Sequence, residues 1–443
     1  MKARLGMLKA IQANLLHRLE ALSPTSFPHV LSIPAPDLDV LLLGSHSSSI
    51  TSCYWKDRDT SDSVIGFAIA DQTDSLEELH LRLKVAPEEV RYYGGVSFPS
   101  FNPQEDSAWQ GLPKTRFIRP LLEYRKQDTT AIFYAWIVSL ADLNNLKTCV
   151  KSLRYSNHNT SAGVARLTLD HVTPSQHEWG QRAMMLVQEM NTTKTMQKIV
   201  LAAEACMSSH CFDPFLWLQS FSSTAPHQGH CFEFLFPLSN QAVFFGASPE
   251  LLYRRKGNRL ITEAVAGTRP RGQNAADDKA IESEFLENIK DKEEHDWVVR
   301  MIHDSLKNLT GQPPATFPRR VMKLPHLQHL YQLFDGCLTP AVQDVDICQA
   351  LFPTPAVAGY PVAVALASLA STESFQRGWY AGIMGCVSRE ETVFSVAIRS
   401  ALFSKNKVYA YAGAGLVGGS DWHNEWDEVI LKLTPFLGKG YTI

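Results

Sequence analysis

The chain has 443 residues, enough for one large domain or two to three ordinary ones, with the 45% hydrophobic and 20% charged balance of a globular protein that buries a substantial core. A net charge of −3 gives no general attraction to nucleic acid or to anionic membrane. The eight cysteines form no CxxC pair and argue against a disulfide framework; they read as reduced, mostly buried thiols of a cytosolic protein.

At the N-terminus, Leu8, Ile11, Leu15, Leu19 and Leu22 repeat at helical spacing and predict a surface helix packed on the core. The segment lacks the apolar run and small-residue cleavage site of a secretory signal. Residues 1 to roughly 160 read as an α+β region with several short strands, among them VIGFAIA (64–70) and TTAIFYAWIVSL (129–140), with the Pro- and Ser-rich loop SFPSFNPQEDSAWQGLP between them. MQKIVLAAEACM (196–207) reads as an apolar strand or helix start interrupted by Lys198. Over 231–272 strands alternate with turns, and LLYRR and RLITE flank KGN, a three-residue hairpin loop. A single long helix follows, with Ile281, Phe285, Ile289, Val298, Ile302 and Leu306 as its apolar stripe. The uncharged run 353–372 has three prolines and a glycine in its first nine residues, so it predicts a loop entering a buried helix and no membrane span. TVFSVAIRSALF and KVYAYAGAGLV form a second hairpin through SKN, and DWHNEWDEVILK opens the last helix with Ser420 as its N-cap.

Charged residues gather in unexpected places. On the last helix Glu425, Glu428 and Lys432 share a face beside the apolar Trp426, Val429 and Leu433. KDKEEH in the middle helix spaces Asp291 and Glu294 in the same i, i+3 way. One such pair is usually a solvated face, but two bordering apolar stripes suit a hard cation such as Mg²⁺. Lys198, Glu250 and Arg399 each stand in an apolar context. Singly each reads as a paired core charge; together they supply a base, an acid and an anion clamp. YAGAGLV and AVAGTRPRG offer backbone that can approach a ligand closely, and neither fits the GxxxxGK[ST] phosphate loop. His210, His227 and His230 lack the second closely spaced pair of a zinc site, and GASPE is not the GxSxG elbow that would make Ser248 a nucleophile.

In order, QKIVLA, GASPELL, TEAVAGTRPRG, KEEHDWVV, LFPTPAVAGYP, RGWYAG, VAIRSA and YAGAGLVGGSDWHNEWDE resemble the chorismate-utilising enzymes, which include isochorismate, salicylate, anthranilate and aminodeoxychorismate synthases. The resemblance is strong over about 190–435, and NLLHRLEAL, CYWKDRD and VRYYGGVSFPSFNP extend it toward the menaquinone-pathway isochorismate synthases. It implies an α+β fold: a single large domain of two facing mixed or antiparallel sheets flanked by helices, with a deep active-site cleft. Residues 1–175 would be an N-terminal α+β region of that fold and 176–443 the chorismate-binding catalytic region.

The resemblance also implies roles. Lys198 is the base that activates water for attack at C2 of chorismate, and Glu250 the acid that protonates the departing C4 hydroxyl. Glu294 and Glu428 bind Mg²⁺, which holds the ring carboxylate, with Asp291 and Glu425 nearby or reaching it through water. Arg399, Tyr380 and the backbone of Gly413 and Gly415 receive the enolpyruvyl carboxylate; Thr268, His329 and Lys432 complete the pocket. A lysine base needs burial and a nearby cation, and a glutamic acid that donates a proton needs apolar surroundings.

Ala356 stands where ammonia-using relatives carry threonine, which favours water as nucleophile and isochorismate as product, with no glutaminase subunit. Salicylate synthase is the alternative, since AGTRPRG does not discriminate; an anthranilate-type synthase and a catalytically silent chorismate-binding protein are the further readings, the last opposed by the presence of Lys198 and Glu250. A cytoplasmic monomer or weak dimer is expected. Four positions depart from the family pattern, Ala203, Phe352, Trp422 and His423, and bear on the pocket lining.

Overall fold

The computed structural model describes residues 2–23, 27–47, 51–60, 62–99, 107–155, 167–209, 211–223, 231–324 and 327–437. His210, His227, His230 and residues 100–106 of the Pro/Ser loop lie outside these.

Eleven helices and twenty strands occur among the described residues, and every strand pairing there is antiparallel. The expected pair of sheets is one branched hydrogen-bonded network with two walls. One wall runs through the strands Lys198–Ser208, Lys407–Val417, Ser400–Ser404, Ala242–Ser248, Phe232–Ser239, Thr51–Lys56 and Ser63–Thr73. The other runs through Leu327–Cys337, Arg259–Pro270, Leu251–Lys256, Glu391–Val396, Ile383–Ser388 and Arg91–Val96. They join at the strand Thr115–Gln127, whose first residues pair with Arg91–Val96 and whose later residues pair with Ser63–Thr73 and Thr130–Ile137. Residues before and after 175 therefore share one sheet.

The chain also crosses between the walls twice, side by side. Ala242–Ser248 belongs to the first wall and Leu251–Lys256 to the second, so Pro249 and Glu250 bridge them. Glu391–Val396 and Ser400–Ser404 repeat this in reverse through Ala397, Ile398 and Arg399. The crossings are tied together: the Ala247 N–H donates to the Arg399 carbonyl at 3.1 Å and the Val396 N–H to the Glu250 carbonyl at 3.0 Å. Arg399 turns the corner at φ 49°, a strained conformation for a side-chain-bearing residue. Where a sheet divides, side chains at the split face the crevice. That is why an acid and a guanidinium occupy these two points.

Local structure follows the sequence with corrections. VIGFAIA and KIVLAAEACM are strands, whereas TTAIFYAWIVSL is a strand only over Thr130–Ile137 and its last residue opens the helix Leu140–Ser152. The first hairpin loop has two residues, Gly257 and Asn258, because Lys256 pairs with Arg259; Gly257 supplies the positive φ such a loop requires. The second is likewise two residues, Lys405 and Asn406, with Ser404 paired to Lys407. It links only Ser400–Ser404 to Lys407–Val417, since the expected first arm breaks at the 397–399 crossing. The long middle helix is two helices, Ala275–Glu287 and Ile289–Leu309. Asn288 serves both: its N–H donates to the Glu284 carbonyl, ending one, and its side chain accepts from the Asp291 N–H, starting the other. The break leaves Ile289, expected in the apolar stripe, 82% exposed. Asp421 caps the last helix, Trp422–Leu437, accepting from the His423 and Asn424 N–H groups, while Ser420 Oγ accepts from Val417.

Residues 362–372 form a helix after the proline-rich loop, but not a buried one: only Ala365 and Leu369 are buried, and Ala363, Val364 and Ala367 are exposed. No described helix is long and apolar enough to cross a membrane. The N-terminal helix buries Leu8, Ile11, Leu15 and Leu19 as expected, against the helix Leu140–Ser152. All eight cysteines are free thiols, of which Cys211 and Cys337 are exposed.

Candidate active site

A pocket opens between the walls where they divide. Its lining includes Glu250 and Arg399 from the crossings, Thr268 and His329 from the second wall, Gly413 and Gly415 from the first, and Ala356 and Tyr380 from the connecting loops. Glu294 and Glu428 reach it from the two acidic helices, and Lys432 lies one turn after Glu428.

Pairing of Lys198–Ser208 with Lys407–Val417 sets the floor. Register places Lys198 beside Val417, Val200 beside Gly415, Ala202 beside Gly413 and Glu204 beside Tyr411, so these alternate residues share one face. A side chain at Gly415 would put its Cβ 2.3 Å from Glu294 Oε1 and 3.1 Å from Lys198 Cε. Glycine there lets the helix Ile289–Leu309 lower its carboxylate onto the strand.

Lys198, 1% exposed, lies just behind the lining, and its Nζ meets Glu294 Oε1 at 3.0 Å. Burial is as expected of a base, but its ion-pair partner is a carboxylate, not the expected cation. Glu250, also buried, is pushed up to about 8: burial is the main cause, Glu263 adds to it, and Lys198, Lys432 and Arg399 oppose it. Its carboxyl group is therefore neutral through most of the physiological range.

His329 is pushed down to about 3 by burial and by the Arg399 charge. In its neutral form Nδ1–H donates to the Gly267 carbonyl at 2.9 Å, leaving Nε2 to accept from Arg399 Nη2 at 3.3 Å. Gly267, at φ +71°, sits in a bulge of the strand Arg259–Pro270 that turns this carbonyl inward. Burial also draws Arg399 below its ordinary value. Tyr380 stacks on Tyr411 at 5.3 Å, and burial pushes its hydroxyl up to about 12, so it stays a donor.

The carboxylates divide in two. Glu294 and Glu428 line the pocket, and Glu428 pairs with Lys432 at 2.6 Å. Lys432 also donates to the Gly413 carbonyl at 2.8 Å. Asp291 and Glu425 turn away from the lining: Asp291 pairs with Arg269 at 2.8 Å and Glu425 with Lys290. Glu425 is still pushed up to about 7, by burial and then by the Glu428 charge, so negative charge is crowded at this end. Among the described residues no three His, Cys, Asp or Glu side chains gather into a ready-made cage. Mg²⁺ does not need one, because it commonly takes one or two carboxylates and fills its other positions with water and substrate oxygens. Two carboxylates lining the same pocket fit that requirement.

The four departures do not touch the lining. Ala203 is on the opposite face of its strand from Lys198, Val200 and Ala202, Phe352 packs on the core, and Trp422 and His423 stack on each other at 3.6 Å. Sequence reasoning missed Tyr411 and Arg377. Arg377, 1% exposed, pairs with Glu373 at 2.5 Å and donates to the carbonyls of Val200 at 2.6 Å and Val357 at 2.7 Å, clamping two lining segments together. A lone arginine among the aromatics of FQRGWY was the available signal.

Residues 22–439 match the family described as chorismate binding enzyme. The chain is 29% identical over 361 residues to the chloroplastic isochorismate synthase of Catharanthus roseus, covering 79% of this chain and 62% of that protein. It is 30% identical over 365 residues to the chloroplastic isochorismate synthase 2 of Arabidopsis thaliana, covering 78% and 63%. The chain thus spans somewhat under two thirds of the length of these two plant relatives. The solved structure of MenF, the menaquinone-specific isochorismate synthase from Escherichia coli, matches with a TM-score of 0.84 at 26% identity, over 98% of this chain and 100% of that one.

Proposed function

Because the chain belongs to the family of chorismate binding enzymes, we propose that it is an isochorismate synthase acting at the entry to menaquinone biosynthesis. The observation that carries this reading is a buried carboxyl group held neutral, Glu250, in the same electrostatic neighbourhood as a buried amine, Lys198. A binding protein needs neither; moving a hydroxyl across a ring needs both.

Lys198 takes a proton from water as the oxygen attacks C2 of chorismate. The ring double bond shifts, the C4–O bond breaks, and Glu250 protonates the departing hydroxyl as water. One water enters and one leaves, so the net change is an isomerisation. Glu250 performs its part only while it holds its proton, that is, below about pH 8. Arg399 and the Tyr380 hydroxyl receive the enolpyruvyl carboxylate beside the backbone of Gly413 and Gly415, which neutralises a charge that could not be buried unpaired. His329, neutral, orients Arg399 by accepting from it. Thr268 and Lys432 close the remaining sides.

Glu294 and Glu428 would hold Mg²⁺, which supplies positive charge for the ring carboxylate. Glu294 now pairs with Lys198, so metal and base would share one carboxylate. Ala356 leaves the nucleophile's side without a hydroxyl, in keeping with water and not ammonia, and no glutaminase partner is required. Free thiols suit a reducing compartment such as the cytosol.

Incubation with chorismate and Mg²⁺, with products separated by chromatography, tests the proposal. Isochorismate supports it. Salicylate with pyruvate, anthranilate when ammonia is supplied, or unchanged chorismate would each replace it with a different activity or with simple binding.

A further inference from the structure

The Pro249–Glu250 crossing is held from behind by the N-terminal third of the chain. Arg58 follows the strand Thr51–Lys56, and its side chain is 6% exposed. Its guanidinium forms two hydrogen bonds with Glu263, Nη1 to Oε2 at 3.0 Å and Nη2 to Oε1 at 2.6 Å. Nη1 also donates to the carbonyl of Pro249, the peptide that leads directly into Glu250. Nε donates to Asp59 at 3.0 Å, and the guanidinium lies 5.0 Å over the Phe232 ring. Glu263, itself buried, accepts from the Tyr331 hydroxyl at 2.9 Å.

Three anchors therefore fix the backbone that carries Glu250. The Glu250 N–H donates to Ser248 Oγ at 3.2 Å, its carbonyl accepts from Val396, and the preceding carbonyl accepts from Arg58. The first two come from the crossings themselves. Of the three, Arg58 is the one that comes from outside the two crossings.

We propose that Arg58 and Glu263 are the positioning pair for Glu250: Glu263 holds the guanidinium at two points, and the guanidinium fixes the peptide that aims the Glu250 carboxyl group. The inference rests on the reading of Glu250 as the acid. The charged groups around Glu250 set its sign. Lys198 from the floor strand, Lys432 from the last helix and Arg399 from the neighbouring crossing favour the carboxylate; Glu263, from the strand Arg259–Pro270, is the carboxylate that opposes them. Taking the charge off Glu263 leaves Arg58 as a further uncompensated cation, so Glu250 gives up its proton at lower pH. Weakening the Tyr331 bond leaves the Glu263 charge less balanced and moves Glu250 the other way.

The test is the pH profile of kcat at saturating chorismate and Mg²⁺ for the full chain, with folding checked by circular dichroism. E263Q is expected to move the alkaline limb down by about one pH unit. Y331F moves it up by a few tenths of a unit. R58K keeps the charge but cannot reach Glu263 in two-point fashion and the Pro249 carbonyl together, so kcat falls about tenfold with KM nearly unchanged. Opposed shifts from E263Q and Y331F are not produced by a role confined to stability. If E263Q does not fold, Y331F and R58K decide: a wild-type limb in the first with wild-type kcat in the second overturns the inference. Failure of the underlying reading looks different: E250Q would retain wild-type turnover, or the wild-type protein would form no isochorismate.

Discussion

The pocket lining comes from one part of the chain, and the layer behind it draws on a second part as well. Every residue that lines the pocket lies between Val200 and Lys432. Among the described residues, the N-terminal third meets the site one step back. Arg58 holds the Pro249 carbonyl, Phe98 lies under the Arg377 guanidinium at 4.5 Å, and Trp109 Nε1 donates to the Tyr411 hydroxyl at 2.9 Å. The lining supplies groups whose chemistry is needed, and the support supplies contacts that hold them at one geometry. The two should therefore fail differently: lining variants lose rate with the fold intact, and support variants lose stability with rate following.

Lys198→Ala, though just behind the lining, is the sharpest break among the groups whose chemistry is proposed. Removing a general base costs about 10²–10⁴ in rate, so turnover should fall to the limit of detection while chorismate still binds, as measured by calorimetry. Comparable turnover in the variant would remove the lysine from the role of base. Glu250→Gln should cost turnover on a similar scale and, in contrast to any support variant, raise stability. Glu250 sits at about 8 in the folded protein against an ordinary 4.5. Below 4.5 both folded and unfolded chains hold the proton and the group costs nothing. As pH rises the unfolded chain ionises first, so the folded state is penalised, by about 3 kcal/mol at pH 7, and the penalty levels off above 8. The thermal midpoint of E250Q should thus exceed wild type at pH 7 to 8 and converge with it toward pH 4.5. A midpoint difference independent of pH would show that Glu250 is not held neutral.

What the sequence disclosed follows the same division. A lysine in an apolar strand, acids at i, i+3 spacing beside apolar stripes, and glycines alternating along YAGAGLV are local patterns, and each resolves onto the pocket or just behind it. Asp291 and Glu425 show the limit of such patterns: they share the spacing of Glu294 and Glu428, but Arg269 and Lys290 hold them outside the lining. Periodicity carries apolar residues straight across Asn288, so the break there is hidden; an asparagine three residues before Asp291 was the only local cue. The sheet branches at Thr115–Gln127 through pairings 19 to 63 positions apart, and the contacts of Arg58 with Pro249 and of Trp109 with Tyr411 join residues 191 and 302 positions apart. No window of sequence contains them.

On the support side Arg377 should give the largest loss. It is buried with Glu373 and clamps the carbonyls of Val200 and Val357, and Glu373 in turn accepts from the Ala202 N–H at 3.0 Å. Arg377→Met leaves a buried carboxylate unpaired, a change that costs about 3–5 kcal/mol, read as a lower urea midpoint with an unchanged slope. Adding Glu373→Gln should restore part of this, since the stranded charge is gone, but not the clamp. Activity in the double variant therefore reports on the clamp separately from stability. Full recovery of kcat there would mean that the Val200 and Val357 carbonyls need no fixing.

Trp109→Phe should give the smallest effect and draws the boundary between the two regions most finely. The indole N–H contributes one hydrogen bond, worth about 0.5–1.5 kcal/mol, and phenylalanine keeps most of the ring contact with Tyr411, whose centroid lies 5.9 Å away. Tyr411 both lines the pocket and stacks on Tyr380, and its hydroxyl, left with Glu204 as its partner, holds less firmly the pair proposed to meet the enolpyruvyl carboxylate. The expected result is a thermal midpoint lowered by a few degrees, with KM for chorismate raised severalfold and kcat nearly unchanged. A KM that stays at the wild-type value would place the whole Trp109–Tyr411 contact in the support layer. A kcat that falls with KM would move the lining one residue further back than the geometry now puts it.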